Sequence, residues 1–388
     1  MNAANSAAVA APRTNTRLQA LAAAGKVIAI LFAFLVGVRA LGDGFNMLGS
    51  GALESFFQAT ANPFVGLMVG VLATTLVQSS SVTTSIIVGM VAAPTDPLPV
   101  ANAIPMIMGS NIGTTVTNTL VSLAHMGRSK EFRRAFAVAT CHDFFNFIVV
   151  AVLLPLEIAT GFLGSTAASL AGNLGGLGGF KFNSPFKAAL KAGSAQVSSL
   201  SEAIFGSASA QGAAVIVLSG ALIIVSLLLL VKTLRSWLGQ SVGASIEKAL
   251  GGHGVTAMMV GVVVTVMVQS SSVTTSLLIP FAAAGVLTLR QAFPLTLGAN
   301  IGTTVTALAA SLAVSGENVV AGATIAIVHL LFNVIRVVMI YPIPAIREIP
   351  LKMAERVAEI ATRSKLQAFA YVGGIFFGAP ALVAVFLR

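Results

Sequence analysis

Several apolar runs in the chain are longer than the roughly 18–20 residues that a membrane-spanning helix needs. Only 9% of the 388 residues are charged, whereas soluble domains carry about 25%. The runs are too long and too continuous for the alternating strands of a membrane barrel, so helices are the reasonable spanning elements. The sequence therefore predicts an all-α, multi-pass membrane protein embedded in a lipid bilayer.

The basic residues are unevenly distributed. The net charge is +10. Sixteen of the 22 Lys and Arg residues fall in cytoplasmic segments if the N-terminus is cytoplasmic and the apolar stretches 62–93 and 253–285 are both hairpins. This bias obeys the positive-inside rule, so the charge indicates membrane orientation rather than nucleic-acid binding. The apolar run that follows Lys26 continues to about residue 45 without a convincing cleavage site, which favours an uncleaved first span over a signal peptide.

Three sequence blocks occur twice in the same order. They are VQSSSVTTS at 77–85 and 268–276, GSNIGTTVT at 109–117 with GANIGTTVT at 298–306, and HDFFN at 142–146 with HLLFN at 329–333. Such ordered self-similarity indicates a duplicated unit. The predicted segments are a cytoplasmic tail (1–25), transport repeat 1 (26–163), an extracytoplasmic linker (164–208), transport repeat 2 (209–342), a cytoplasmic amphipathic segment (343–366) and a C-terminal span (367–388).

Each QSSS block lies near the centre of an apolar stretch, 62–93 or 253–285. A straight helix of that length would be too long for a bilayer and would place polar residues at its midpoint. A re-entrant hairpin that turns at QSSS fits better, because protein or a water-filled cavity can cover its non-helical backbone. With the charge distribution above, one hairpin opens outward and the other inward. We therefore expect two inverted-topology repeats with broken helices, an arrangement typical of secondary transporters.

The duplicated blocks are rich in hydroxyl and amide side chains. A hydroxyl can donate to an oxyanion and can also offer its oxygen to a hard cation, and the N-terminus of a half-helix suits an anion. An isolated Ser or Thr in a membrane helix more often bonds to a backbone carbonyl or joins helices. A polar cluster that is repeated in register favours a binding site instead.

Asp143 is an acidic residue inside a predicted span, and its repeat counterpart is Leu330. Such a residue could hold a sodium ion or titrate with a proton, or it could pair with Arg39 or Arg336. The histidines of the HDFFN and HLLFN blocks are interpreted as hydrogen-bonded packing residues.

The chain contains no sequence motif of a serine hydrolase, a nucleotide-binding loop or a zinc enzyme. An intramembrane hydrolase that uses Ser80 and His142 is the enzyme alternative. It would need one activated serine with a positioned base, whereas this chain duplicates a whole polar cluster. We expect neither enzyme activity nor a cofactor.

The segments QSSSVTTS, GSNIGTTVTN, RAFAVATCHDFFNF, LLPLE and FPLTLGANIGTTVTA together resemble the type II sodium-phosphate cotransporter family. The resemblance covers nearly all of 26–342. It implies uptake of inorganic phosphate driven by the sodium gradient, with sodium as a co-substrate. The linker at 164–208 has no cysteine and the chain has no N-glycosylation acceptor, which fits a bacterial inner-membrane member.

Together with the repeated polar blocks, the resemblance implies which residues contact the ions. The expected phosphate-binding residues are Gln78, Ser79, Ser80, Asn111, Gln269, Ser270, Ser271 and Asn300. The expected sodium-binding residues are Ser81, Thr117, Asp143, Asn146, Ser272, Thr303 and Thr306. Asp143 matches the acidic residue of electrogenic members, so the resemblance implies that net positive charge moves inward.

The QSSS and NIGTT blocks contain no Lys or Arg, so bound sodium, helix dipoles and hydroxyls would have to compensate the charge of phosphate. Each ion is costly alone in a low-dielectric site, which would couple their binding. Two alternatives stay open. One is a sodium- or proton-coupled symporter for another oxyanion or a small carboxylate, and the other is a receptor or scaffold that binds phosphate without moving it.

Overall fold

The computed structural model describes residues 16–48, 58–94, 96–177, 185–249, 254–314 and 318–386. Over these ranges the chain forms helices and no strands, which confirms the all-α prediction. The helices are α1 (Thr16–Leu48), α2 (Pro63–Val77), α3 (Ser80–Val91), α4 (Val100–Gly113), α5 (Val116–Leu123), α6 (Ser129–Thr160), α7 (Phe162–Leu177), α8 (Pro185–Ile204), α9 (Ala208–Ala249), α10 (Gly254–Val268), α11 (Ser271–Ser276), α12 (Leu278–Ala284), α13 (Leu289–Ala313), α14 (Val319–Ile340), α15 (Pro344–Arg363), α16 (Lys365–Gly373) and α17 (Ala379–Phe386). A π-helical turn, Gly374–Gly378, joins α16 to α17.

Six helical segments of the described residues are long and apolar enough to cross a membrane. They are Ala24–Leu41, Ser129–Thr160, Ala208–Leu229, Leu289–Ala313, Val319–Ile340 and Lys365–Val383. Because an α-helix rises 1.5 Å per residue, about 20 residues match the roughly 30 Å hydrocarbon core of a bilayer. The chain is therefore a multi-pass integral membrane protein.

Both QSSS blocks interrupt a helix at the same residue. Gln78 and Gln269 have backbone φ angles of 58° and 56°, a left-handed conformation that residues other than glycine seldom adopt. Ser79 and Ser270 then cap α3 and α11, each accepting a hydrogen bond from the backbone N–H three residues later. Serine is a favoured N-cap because its hydroxyl satisfies such an N–H. A break therefore lies at the expected place in both copies, and the inverted, re-entrant course of the stretches stays a prediction.

The helix before each break packs closely against the NIGTT helix of the same repeat: α2 against α4, and α10 against α13. Glycines allow this approach. A Cβ on Gly109 would lie 1.9 Å from the carbonyl oxygen of Leu67, and a Cβ on Gly298 would lie 1.8 Å from that of Met258. Small residues let membrane helices bring their backbones together. Within each repeat, the same type of backbone contact thus holds the NIGTT segment beside the helix break.

The remaining helices lie in the other predicted segments. Helix α8 and most of α7 occupy the predicted linker, of which 178–184 lies outside the described residues. Helix α15 occupies the predicted amphipathic segment and buries Leu351, Ala354 and Ala358 on a side that packs against α6. Residues 1–15 of the predicted tail also lie outside the described residues. The predicted segment boundaries and their sides of the membrane stay predictions.

We expect Gly298→Ala to lower the melting temperature of the detergent-solubilised protein, because the added Cβ meets a backbone oxygen that cannot rotate away. Overpacking of this kind usually costs about 1–3 kcal/mol. Gly220→Ala is the matched control, since nothing lies within 4 Å of a Cβ there and alanine is the better helix former by about 1 kcal/mol. Equal melting temperatures for the two variants would contradict the close backbone contact.

Candidate functional site

The two QSSS breaks line one cavity of about 400 Å³. The polar residues of its wall are Gln78, Ser79, Thr117, Gln269, Ser270, Ser272 and Ser276. Apolar side chains, including three from α9, complete the wall, and no Lys or Arg is among the described residues that line it. Six of the predicted site residues, four from the phosphate set and two from the sodium set, are thus brought together from both repeats.

Each left-handed glutamine is hydrogen-bonded to the NIGTTVT segment of its own repeat. The hydroxyl of Thr117 donates to Oε1 of Gln78 at 2.9 Å, and the hydroxyl of Thr306 donates to Oε1 of Gln269 at 3.1 Å. The glutamine Nε2 atoms donate to the backbone carbonyl three residues earlier, at 2.7 and 2.6 Å. Hydroxyl and amide oxygens are ligands that hard cations accept. Each glutamine–threonine pair can therefore offer two oxygens to a sodium ion.

The N-terminal ends of α3 and α11 lie at the cavity, because their capping residues Ser79 and Ser270 line it. Helix α11 continues into α12 after the single residue Leu277. The first N–H groups of a helix have no partner within the helix, and together with the helix dipole they favour an anion. Ser80 and Ser271, the first residues of the two helices, are buried next to these caps. The cavity thus combines anion donors with cation ligands.

A second polar cluster, which does not line the cavity, joins the repeats. The side chain of Asn333 donates to Oδ1 of Asn111 at 3.3 Å, and the side chain of Asn146 donates to the backbone carbonyl of Asn111 at 2.8 Å. The Arg336 guanidinium donates to the Oδ1 atoms of both Asn146 and Asn333. All four residues are buried. Two predicted site residues, Asn111 and Asn146, therefore lie in an inter-repeat hydrogen-bond network.

Two further predicted site residues also make buried contacts outside the cavity wall. Nδ2 of Asn300 lies 2.7 Å from Nε2 of His142, which again connects the repeats. The hydroxyl of Thr303 donates to the backbone carbonyl of Ala299 at 3.2 Å, as is common for Thr in membrane helices. In the first motif, Ser85 donates in the same way to the carbonyl of Ser81 at 2.7 Å. The hydroxyl groups thus divide into those that stabilise helices and those that face the cavity.

Asp143 is fully buried in α6 and forms no ion pair with Arg39, Arg336 or any other described residue. Its Oδ2 accepts a 2.7 Å hydrogen bond from the hydroxyl of Tyr371 on α16. Its Oδ1 is buried and accepts no hydrogen bond of normal geometry in the described part of the chain. The side chain of Thr115 lies near the carboxylate, but its hydroxyl donates to the backbone carbonyl of Ile112 at 2.8 Å. A buried carboxylate oxygen without a partner is unusual. This oxygen is therefore available to a cation.

Comparison with known proteins identifies the family. The family model described as Na+/Pi-cotransporter matches residues 33–176 and 222–378. The chain belongs to the Na+/Pi-cotransporter family. The resemblance that the duplicated motifs carry is confirmed.

The relatives that this chain matches are longer than the chain. It is 35% identical over 425 residues to the sodium-dependent phosphate transport protein 2A of Rattus norvegicus, an overlap that covers 92% of this chain and 66% of that protein. It is 32% identical over 444 residues to the sodium-dependent phosphate transport protein 2B of Homo sapiens, covering 92% of this chain and 64% of that protein. The chain thus spans about two thirds of the length of these relatives. No solved structure matches it.

Two residues near the site of this family member were missed by sequence reasoning. Oδ1 of Asn118 accepts hydrogen bonds from Thr275 and Ser276, both at 3.0 Å, and so connects the first repeat to the second motif. Its position directly after the first NIGTTVT block is the signal that could have found it. Tyr371, the partner of Asp143, is one of only two tyrosines in the chain. A phenol inside an apolar span needs a hydrogen-bond partner, and this requirement was the available signal.

A larger cavity of about 600 Å³ lies beside the N-terminal part of α6. Its polar and charged lining residues are Lys130, Arg133, Arg134, Thr288 and Glu355. None of the predicted site residues lines this cavity. The cavity between the QSSS breaks is therefore the candidate site of this family member.

Tyr371→Phe should lower the free energy of unfolding by about 1.5–3 kcal/mol, the usual contribution of a hydrogen bond to a charged group. In an Asp143→Asn background the same substitution should cost less, because a neutral amide oxygen accepts a weaker hydrogen bond. A double-mutant cycle from denaturant unfolding in detergent measures this coupling. Additive effects would show that the phenol does not stabilise the carboxylate.

Proposed function

We propose that the chain is a symporter that imports inorganic phosphate together with sodium by alternating access. One observation carries the proposal: a single cavity places anion donors and cation ligands from both QSSS motifs side by side. Family membership supports it, as do the names of the relatives, which describe sodium-dependent phosphate transport. Those relatives are transport proteins, which favours a transporter over the intramembrane hydrolase.

The charge of the cavity wall gives a physical reason for coupling. Inorganic phosphate is mono- or divalent at neutral pH, and the described wall contains no Lys or Arg to compensate that charge. An unpaired ion in a low-dielectric site is costly. Bound sodium lowers the cost of binding phosphate, and bound phosphate lowers the cost of binding sodium. The protein then carries the two ions together, as co-substrates, without a resident cofactor.

The proposed ion sites follow the geometry and the family resemblance. The residues assigned to phosphate around the two breaks are Gln78, Ser79, Ser80, Gln269, Ser270 and Ser271. The residues assigned to sodium beside them are Ser81, Thr117, Ser272 and Thr306. In the buried surroundings, Asn111 and Asn300 keep their assignment to phosphate, and Asp143 and Thr303 keep theirs to sodium. The sequence also assigned Asn146 to sodium, but its Oδ1 accepts a hydrogen bond from Arg336 instead. The unpartnered oxygen of Asp143 supports its role as the ligand that makes transport electrogenic.

The transport cycle that we propose uses the two repeats as inverted halves. The breaks have nearly the same backbone angles in both copies and line one cavity, which supports two re-entrant hairpins that meet at a shared site. In inverted repeats, rocking of one half against the other opens such a site to each side in turn. The N-terminus is placed in the cytoplasm, and the membrane is proposed to be a bacterial inner membrane.

Radiolabelled phosphate uptake into proteoliposomes tests the function. We expect accumulation only with an inward sodium gradient. Ser270→Ala and Gln269→Ala should each lower uptake by roughly ten-fold or more, because a hydrogen bond to a charged ligand contributes about 1.5–3 kcal/mol. Ser199→Ala is the matched control, since Ser199 is exposed on α8 and should leave uptake unchanged.

The outcomes separate the alternatives. Uptake without sodium would refute the coupling, and sodium-driven uptake of another oxyanion but not of phosphate would refute the substrate. Phosphate binding without accumulation would favour a receptor or scaffold. Normal uptake in both motif variants would mean that the QSSS motif serves only packing.

Asp143→Gly should abolish the substrate-induced current while leaving residual phosphate uptake, because the variant lacks the carboxylate assigned to one of the sodium ions. Current and uptake are measured on the same vesicles under an imposed membrane potential. Tyr371→Phe is the companion variant, since it keeps the carboxylate and should keep the current. A full current in Asp143→Gly would exclude this residue from charge transport.

A further inference from the structure

Arg336 is a fully buried arginine inside α14 (Val319–Ile340), one of the helices that are long and apolar enough to cross a membrane. Taking a cation out of water into a low-dielectric interior costs several kcal/mol unless it is compensated. No carboxylate of the described residues lies within ion-pairing distance of it, and its Nε atom makes no hydrogen bond there. The guanidinium is therefore held by neutral groups alone.

Those neutral groups are arranged in a pair. The guanidinium donates to Oδ1 of Asn146 and Oδ1 of Asn333, the last residues of the HDFFN and HLLFN blocks. It also lies over the rings of Phe145 and Phe332, at 5.1 and 5.4 Å, where the negative face of an aromatic ring attracts a cation. The first and second repeats thus contribute equivalent residues to one cation-binding environment.

Other hydrogen bonds orient the two asparagines. The Nδ2 atoms of both donate to Asn111, one to its backbone carbonyl and one to its side chain. Their amide oxygens are thereby turned toward the guanidinium. Amide and carbonyl oxygens that converge in a membrane interior are the ligands with which transporters hold sodium.

The arginine is present in only one repeat. The position equivalent to Arg336 in the first repeat is Val149, because the HDFFN and HLLFN blocks align His142 with His329. One side chain therefore serves an asparagine pair to which both repeats contribute. The residues that the two repeats share would supply no cation to this asparagine pair.

We propose that Arg336 is a tethered cation. Its guanidinium occupies the place between Asn146 and Asn333 in which a monovalent cation would otherwise bind, and it supplies a permanent positive charge to the interface between the repeats. The consequence of this arrangement for transport rests on the proposed function. While Arg336 is present, no transported sodium ion binds between Asn146 and Asn333. Arg336 is a positioning residue, and its charge replaces that of one sodium ion.

Sodium binding and stability test the proposal without requiring transport. Arg336→Met removes the charge and keeps an unbranched side chain, whereas Arg336→Lys keeps the charge. In detergent, Arg336→Met should unfold at a lower temperature in choline chloride and recover in sodium chloride. Arg336→Lys should resemble the wild type in both salts. Equilibrium binding of radioactive sodium should find one additional saturable ion per chain in Arg336→Met.

The contrary results are distinct. If Arg336→Met is equally unstable in sodium and in choline, or binds no more sodium than the wild type, the tethered-cation role is wrong. The same applies if Arg336→Lys loses stability as Arg336→Met does and gains the same sodium response. Absence of sodium-driven phosphate uptake by the wild type would refute the proposed function instead, because the sodium-binding comparison of the variants does not depend on uptake.

Discussion

The interruption of an apolar helix at each QSSS motif is the constraint on which the rest of the structure depends. A break frees backbone polar groups, and each costs several kcal/mol in hydrocarbon unless it finds a partner. At Gln78 the backbone N–H bonds to the carbonyl of Thr74 at 2.8 Å, and Ser79 caps the next helix. Gln269 repeats this arrangement with Thr265 at 2.7 Å. The QSSS residues thus satisfy the backbone first and offer their remaining polar groups to the cavity.

The glycine contacts connect this local geometry to the site. Gly109 and Gly298 hold each NIGTT helix against the helix that precedes the break. That contact places Thr117 beside Gln78, with an equivalent threonine and glutamine in the second repeat. A movement of either NIGTT helix would therefore change the spacing of the oxygens at the cavity. The packing of the helices and the arrangement of the glutamine and threonine oxygens depend on the same contact.

The sequence was sufficient to predict the all-helical membrane fold and the position of both breaks. A cluster of hydroxyl side chains within an apolar run predicts a helix break that is shielded from lipid. The second copy of this cluster defines how the two repeats align. Residues that have no counterpart in the other repeat are not found by comparing the two repeats. Tyr371 lies 228 residues from Asp143, and Asn118 is matched by Ala307. Such contacts depend on how distant helices pack, which neither hydropathy nor repetition specifies.

The charged residues that differ between the repeats do not line the cavity. Asp143 is matched by Leu330 and Arg336 by Val149, and Asp143 and Arg336 are the buried carboxylate and the buried guanidinium of the described residues. A fixed charge in the wall would bind an ion of opposite charge more tightly, whereas conduction and transport require binding that is reversible. Hydroxyl and amide groups avoid this, because they stabilise either sign of charge weakly. With both fixed charges outside the described wall of the cavity, the wall itself stays neutral.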